Sequence, residues 1–257
     1  ANIDDMNSDD MPDKIVKTVD VEMSPEQVQQ YKFVMRRVPP HVRELIANNM
    51  PVNRKEAMWI LPMITQARGV CNTPSYLDSS LPLSLAAEKS PKIKRVLDDV
   101  EHHLKETPDG QVIIHSHLVE GGTNVVSAGL KARGIKHVLF TGQVDHDERN
   151  KGIKAYNAGK VKVAVLSSAG VTGLNLPNTT FHAALDGHFN PAVIDQIEAR
   201  GIRAGGQAHR PPGKRKVLVK RYQSVRPSNF LTGLGRVFKK EATVDQWIYT
   251  LANNKSE

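Results

Sequence analysis

The chain has 257 residues, 39% of them hydrophobic, enough for one large domain with a true core, which excludes a low-complexity or wholly disordered polymer. Its 35 Lys and Arg against 27 Asp and Glu give a formal charge of +8, favouring a polyanionic partner such as nucleic acid without selecting one. The single cysteine, Cys71, excludes a disulfide framework, and the chain has neither a signal-like leader nor an apolar run of membrane-spanning length, so an intracellular protein without a membrane span is expected.

Residues 1–13 show no periodicity and are expected to form a disordered leader. Alternation in KIVKTVDVEM predicts a strand from Lys14, after which Ser24, Pro25 and Gln27 mark the cap, first turn and capping box of a helix. Residues 40–88 read as helical accessory material around RKEAMWILPMITQARG, followed by a polar connector containing proline. A sharper alternation then begins. SPKIKRVLDDVEHHLKE, with Ser90 as cap and Pro91 as first residue, predicts a helix, and QVIIHSH predicts a buried strand. A helix around TNVVSAGLKARG, the strand KHVLFTG and the helix HDERNKGIKAYNAG follow. The strands KVAVLSSAG and TTFHAALDG, the helix PAVIDQIEARGIRAG and the strand VLVKRYQS close the series. Thr243 is placed to cap a terminal helix, TVDQWIYTLANNK, whose Trp, Ile and Leu face docks on the body. Short apolar strands alternating with amphipathic helices predict an α/β fold, a parallel sheet covered on both faces.

The segment 163–207 carries the most chemistry. A buried strand ends in SSAGVTGLNL, where Gly170 and Gly173 allow close backbone approach and Ser167, Ser168 and Thr172 offer hydroxyls to phosphate oxygens. A second strand ends at Asp186, and the helix after HFNP presents Gln196, Arg200 and Arg203. Spacings of four and three place these three on one helix face, and two guanidiniums there suit a dense anion such as a γ-phosphate. Arginines on a helix face also occur simply solvated.

QIEARGIRAGGQ is similar to the sixth motif of Swi/Snf-type superfamily-two ATPases, with Gln196, Arg200, Arg203 and Gln207 at the matching positions. SSAGVTGLNL resembles their fifth motif, and ALDGHFNP the strand and turn that follow, with Phe189 where Trp is more usual. SPKIKRVLDDV and QVIIHSHLVEGG resemble the entry helix and fourth motif, and IKHVLFTGQVDHDERNKGIKAYN the strand and helix after it. The resemblance covers about residues 88–225; KTVDVEMSPEQVQQY, AHRPPGKRKVLVKRY and TVDQWIYTLANNK are similar to segments of helicases of large DNA viruses.

The resemblance implies a RecA-like (P-loop NTPase-like) second motor lobe at 88–225, with 14–87 linking from a first lobe and 226–257 forming a helical extension. Neither GxxxxGKS, GxxxxGKT nor a DEAD/DExH-like acidic run occurs, so ATP and Mg²⁺ are expected to be held mainly by that first lobe, and this chain alone to be inactive as an ATPase. By resemblance Arg200 and Arg203 are arginine fingers and Gln196 orients their helix or the nucleotide. Gly170, Gly173, Asn175 and Asp186 fall to ATP binding and coupling. Glu198-Ala199 departs from the family pattern, which bears on the packing of that helix.

For nucleic acid, expected to be duplex DNA, the resemblance points to His115, Ser116, Thr141, Gly142, Ser167 and Ser168, contacting phosphates without sequence choice. The basic run Arg210, Lys214, Arg215, Lys216, Lys220 and Arg221 either extends that track or is a solvated loop and edge strand. His102, His103, His115 and His117 lack a carboxylate or Cys at a known spacing, so no metal site is expected. Gly233-Leu234-Gly235 is too short for a dinucleotide fingerprint, and Cys71 is expected to be a buried small hydrophobe. The rival class is a non-enzymatic nucleic-acid-binding or regulatory module retaining one RecA-like lobe.

Overall fold

A computed structural model of the chain describes residues 11–228 and 241–255. Its sheet contains β1 (Asp13–Glu22), β2 (Gln111–Ser116), β3 (His137–Phe140), β4 (Val163–Ser167), β5 (Thr179–Ala184) and β6 (Lys216–Val225), in the spatial order β1-β6-β5-β2-β4-β3. Every pairing is parallel, so the C-terminal ends of all these strands lie along one edge of the sheet. β2, β4 and β5 are buried along their whole length, as their continuous apolar runs require.

Side chains alternate across the strands and fill two cores. Val112 and Ile114 of β2 face one side, under α4 (Leu83–Lys89), α5 (Pro91–Glu106) and α6 (Asn124–Ala132), where they meet Val96, Leu97 and Leu130. Ile113 faces the other side, with Phe140, Tyr156 and Leu166 under α7 (His146–Asn157) and Ile197 of α8 (Pro191–Glu198). A third core joins α1 (Pro25–Met35), α2 (Pro40–Ala47), α3 (Arg54–Asn72) and α9 (Val244–Asn253) through Tyr31, Val42, Ile64 and Trp247. This accessory layer caps the C-terminal ends of β1, β6 and β5: the Met23 amide donates to the Val225 carbonyl, and α3 reaches Asp186. A fully buried ion pair, Lys92 to Asp245 at 2.5 Å, joins α9 to α5.

Local signals are realised closely at the caps. Ser24 and Gln27 form the reciprocal capping box of α1, and Thr243 and Gln246 form that of α9. Ser90 stands at the cap position of α5, but its hydroxyl bonds Thr73 and the Ala86 carbonyl, tying α5 to the preceding helices. Cys71 is buried.

Three expectations are corrected. The segment 14–87 is more than a link, because its strand pairs with β6 from Asp13↔Lys216 to Glu22↔Val225 and extends the sheet beyond 88–225. The same pairing puts Asp13 in β1, not in a leader. β6, an edge strand in one of the two readings of the basic run, lies between β1 and β5, since the strand that covers it comes from the far end of the chain. Residues 1–10 of the leader and Gly233-Leu234-Gly235 lie outside the described residues.

Candidate functional site

Asp186, two residues past the end of β5, is buried beneath α3. Its carboxylate accepts from Asn72 Nδ2 at 2.9 Å, Ser116 Oγ at 2.5 Å and the His117 amide at 2.8 Å, with the Arg68 guanidinium 3.5 Å away. Burial opposes ionisation, but the charges of Arg68, His117 and Lys92 and the Ser116 hydrogen bond outweigh it and hold the carboxyl far below the usual carboxylate range. Asp186, expected among the ATP-binding and coupling residues, is thus turned inward, its carboxylate taken up by protein donors. Ser116 is consumed by that hub, and His115 is buried, kept neutral by burial and by the neighbouring His117. His117 carries the network outward: its Nδ1 lies 2.6 Å from Ser168 Oγ.

Ser168 opens the loop between β4 and β5. Ser167 is buried and its Oγ and carbonyl both accept from the Gly170 amide. A Cβ on Gly170 would lie 1.8 Å from the Phe140 carbonyl oxygen, so only glycine lets the loop cross the end of β3. Gly173 supplies a left-handed turn at φ +74°. We expect Gly170→Ala to lower stability by about 3 kcal/mol, the upper end of overpacking costs, because backbone and not a pliable side chain must yield. Urea unfolding of the variant checks this; an unchanged midpoint contradicts it. Further along, Arg149 donates to the Thr172 carbonyl and Asn157 Nδ2 to the Asn175 carbonyl, fastening the loop to α7. Val171, Leu174 and Leu176 anchor it in the core.

The loop ends beside the arginines. The Leu176 amide donates to the Arg200 carbonyl at 3.1 Å. Here the structure departs from the spacing argument: α8 ends at Glu198 with Ala199 as C-cap, so Arg200 and Arg203 lie in the turn beyond the helix and do not share a face with Gln196. That turn is pinned from below. Gly201 packs on Thr179, Gly206 on the Pro177 carbonyl, and the buried Gln207 donates through Nε2 to the carbonyls of Thr179 and Lys216. Gln196 and Arg203 are exposed and Arg200 is half-buried, its Nε enclosed without a hydrogen-bond partner. Among the described residues neither arginine pairs with a carboxylate.

Sequence reasoning missed the partners of Glu198. This departure from the family pattern is buried, receives two hydrogen bonds from Arg221 at 3.0 and 3.1 Å and pairs with Lys14. A lone acidic residue at a core-facing helix position was the available signal; its partners sit on two strands remote in sequence.

The basic run does not extend the nucleic-acid loops. Lys214, Arg215 and Lys216 stand at the N-terminal end of β6, at the opposite edge of the sheet from Ser116, Thr141, Gly142, Ser167 and Ser168. Arg215 donates to the carbonyls of Ala208 and Arg210, Arg210 pairs with Asp109, and Lys220 pairs with Asp99. On the C-terminal edge Thr141 is buried and accepts from the Gln143 amide, whereas Gly142 and Ser168 are exposed. Among the described residues no group of three or more His, Cys, Asp or Glu could hold a metal ion, and no helix is long and apolar enough to cross a membrane.

Comparison with known proteins agrees with this geometry. Residues 92–205 match the helicase conserved C-terminal domain. The fold superposes on the C-terminal part of the Fun30 ATPase domain with a TM-score of 0.64 at 15% identity, covering 95% of this chain and 99% of that one. It also superposes on the Sulfolobus solfataricus SWI2/SNF2 ATPase core solved with dsDNA, with a TM-score of 0.62 at 22% identity over 83% of this chain and 42% of that one. The fold is thus that of the C-terminal lobe of SWI2/SNF2-type ATPases, and residues 92–205 resemble a helicase C-terminal domain. Across 92% of its length the chain is 26% identical to a putative ATP-dependent RNA helicase of Acanthamoeba polyphaga mimivirus. Across 73% it is 28% identical to a probable global transactivator of Orgyia pseudotsugata multicapsid polyhedrosis virus. It spans 49% and 39% of those two proteins, so the chain corresponds to about half of the length of these viral relatives or less.

Proposed function

We propose that the chain is the second motor lobe of an ATP-driven translocase on duplex nucleic acid, which needs a first lobe to hydrolyse ATP. The observation that carries this reading is the loop 168–176. It begins at the exposed Ser168 on the C-terminal edge and ends at Leu176, hydrogen-bonded to the carbonyl of Arg200. One loop thus touches both the edge suited to phosphate-backbone contacts and a pair of carboxylate-free arginines suited to a phosphoryl group.

In this reading Arg200 and Arg203 stabilise charge on the transferring phosphoryl group, Gln196 flanks them, and Gly173 and Asn175 report nucleotide state along the loop. Mg²⁺ and the cradle for the β- and γ-phosphates belong to the first lobe. Gly142, Ser168 and the rim of His117 meet the nucleic acid; His115, Ser116, Thr141 and Ser167 shape those loops from beneath. DNA is the substrate we favour, on the Swi/Snf-type fold and its likeness to a core bound to dsDNA.

Two measurements test the reading. The purified chain should show no nucleic-acid-stimulated ATP turnover, and adding a matching first lobe should restore it; turnover by the chain alone would sink the proposal. The chain should bind duplex weakly and without sequence preference, and Ser168→Asp should weaken binding roughly tenfold, the scale of one charge-assisted contact. Equal binding by the variant, or a marked preference between two unrelated duplexes, contradicts it.

A further inference from the structure

We propose that the cleft between α1, α2 and the segment following β6 is a second phosphate-binding site of the lobe, taking the backbone of nucleic acid lying on the same edge; this rests on the reading of the chain as a nucleic-acid motor lobe. The cleft encloses about 570 Å³, within the range of ligand sites, and Lys32, Arg36, Arg43 and Arg226 line it against Glu44 and Glu241. Four cations against two carboxylates leave it at +2.

The arrangement costs stability when empty. Lys32 and Arg36 are four residues apart at the end of α1, so like charges share one helix face. Among the described residues neither they nor Arg43 pair with a carboxylate. Arg226 pairs with Glu241 at 2.9 Å and stands over the Tyr31 ring, 5.6 Å from its centroid. The Nε atoms of Arg43 and Arg226 are enclosed without a hydrogen-bond partner. An enclosed donor lacking an acceptor is expensive, and the guanidinium fork matches phosphate oxygens in geometry as well as charge. A cleft in which cations outnumber carboxylates two to one also carries the field that draws a polyanion.

Its position selects the backbone of nucleic acid as that polyanion. Arg226 directly follows the C-terminal end of β6, so the cleft lies at the edge that carries Gly142 and Ser168. β6 is three strands from β4, which leads into Ser168, about 15 Å at the usual strand spacing. A nucleic-acid strand laid along this edge therefore meets the loops and the cleft in succession, and the accessory helices lengthen the track in place of the basic run at 214–216.

Fluorescence anisotropy of a labelled duplex against the chain, titrated with salt, tests this. Replacing the exposed pair as Lys32→Gln with Arg36→Gln should weaken binding about tenfold and flatten the slope of log K against log salt by up to about 1.8, or roughly 0.9 for each phosphate contact. Glu44→Gln should tighten binding. Lys214→Gln with Lys216→Gln removes the same charge from the opposite edge and should change neither quantity. Equal effects of the two double substitutions would reduce the cleft to bulk charge and overturn the proposal. A silent cleft pair beside a weakened Ser168→Asp rejects the cleft and keeps the motor-lobe reading. Absence of duplex binding by the chain rejects both. Polyglutamate binding that is lost in the cleft pair, with duplex binding unaltered, assigns the cleft to an acidic protein and rejects the proposal.

Discussion

With a first lobe supplied, Arg203→Ala and Arg200→Ala should each lower kcat by about 10³-fold or more, the scale of an arginine finger, and leave nucleic-acid affinity within about twofold. The geometry makes the experiment clean. Arg203 is exposed, so its truncation should cost less than about 0.5 kcal/mol of stability. Arg200 is tied to the loop 168–176 through its backbone carbonyl, a bond that alanine retains. Arg200 meets that loop at its end remote from Ser168, so duplex contacts should survive the substitutions. Arg200→Lys and Arg203→Lys should remain strongly impaired, because an ammonium keeps the charge but not the planar fork. Turnover near wild type in either alanine variant, with the two-lobe protein folded, removes that arginine from the chemistry.

The sequence made the alternating elements and helix starts legible, because these are local physics: Ser24 with Gln27 and Thr243 ahead of an apolar face need only neighbours in the chain. Motif order likewise pointed to the right lobe. What escaped was everything that depends on remote pairing. No feature of KIVKTVDVE announces that its strand joins β6, and without that pairing β6 reads as an edge and its basic residues as free. Lys220 and Arg221 are in fact spent on Asp99 and Glu198. Helical spacing over-extended α8, since Gln196, Arg200 and Arg203 fit one face only if the helix continues. Contacts of Gly201 and Gly206 with the strand ends, invisible in spacing, turn the chain away after Glu198. The partners of Asp186 also escaped, because burial beneath α3 is a tertiary fact.

That burial makes Asp186 the residue whose loss should cost the fold most. Asp186→Ala strips an acceptor from Asn72, Ser116 and the His117 amide together and the counter-charge from the largely buried Arg68, and should lower stability by about 3–5 kcal/mol. Asp186→Asn keeps one acceptor oxygen and should cost less. Acid should expose the same group. The folded-state pKa of Asp186 lies below its unfolded value of about 3.9, so its contribution is present above that value and is lost as pH falls through the folded pKa. Histidines act earlier in the same direction. Burial holds His115 neutral and, with the nearby charges of Lys14 and Arg221, pulls His182 down to about 4. Their unfolded counterparts protonate below about 6.5, and stability should decline from there as pH falls towards 4. Urea midpoints between pH 3 and 7.5 should thus fall in two successive stages in the wild-type chain. In Asp186→Asn the decline below about pH 4 should be shallower, while the histidine stage persists. If the low-pH decline is as steep in the variant as in the wild type, Asp186 is not the ionised hub that its three donors and the Arg68 charge describe.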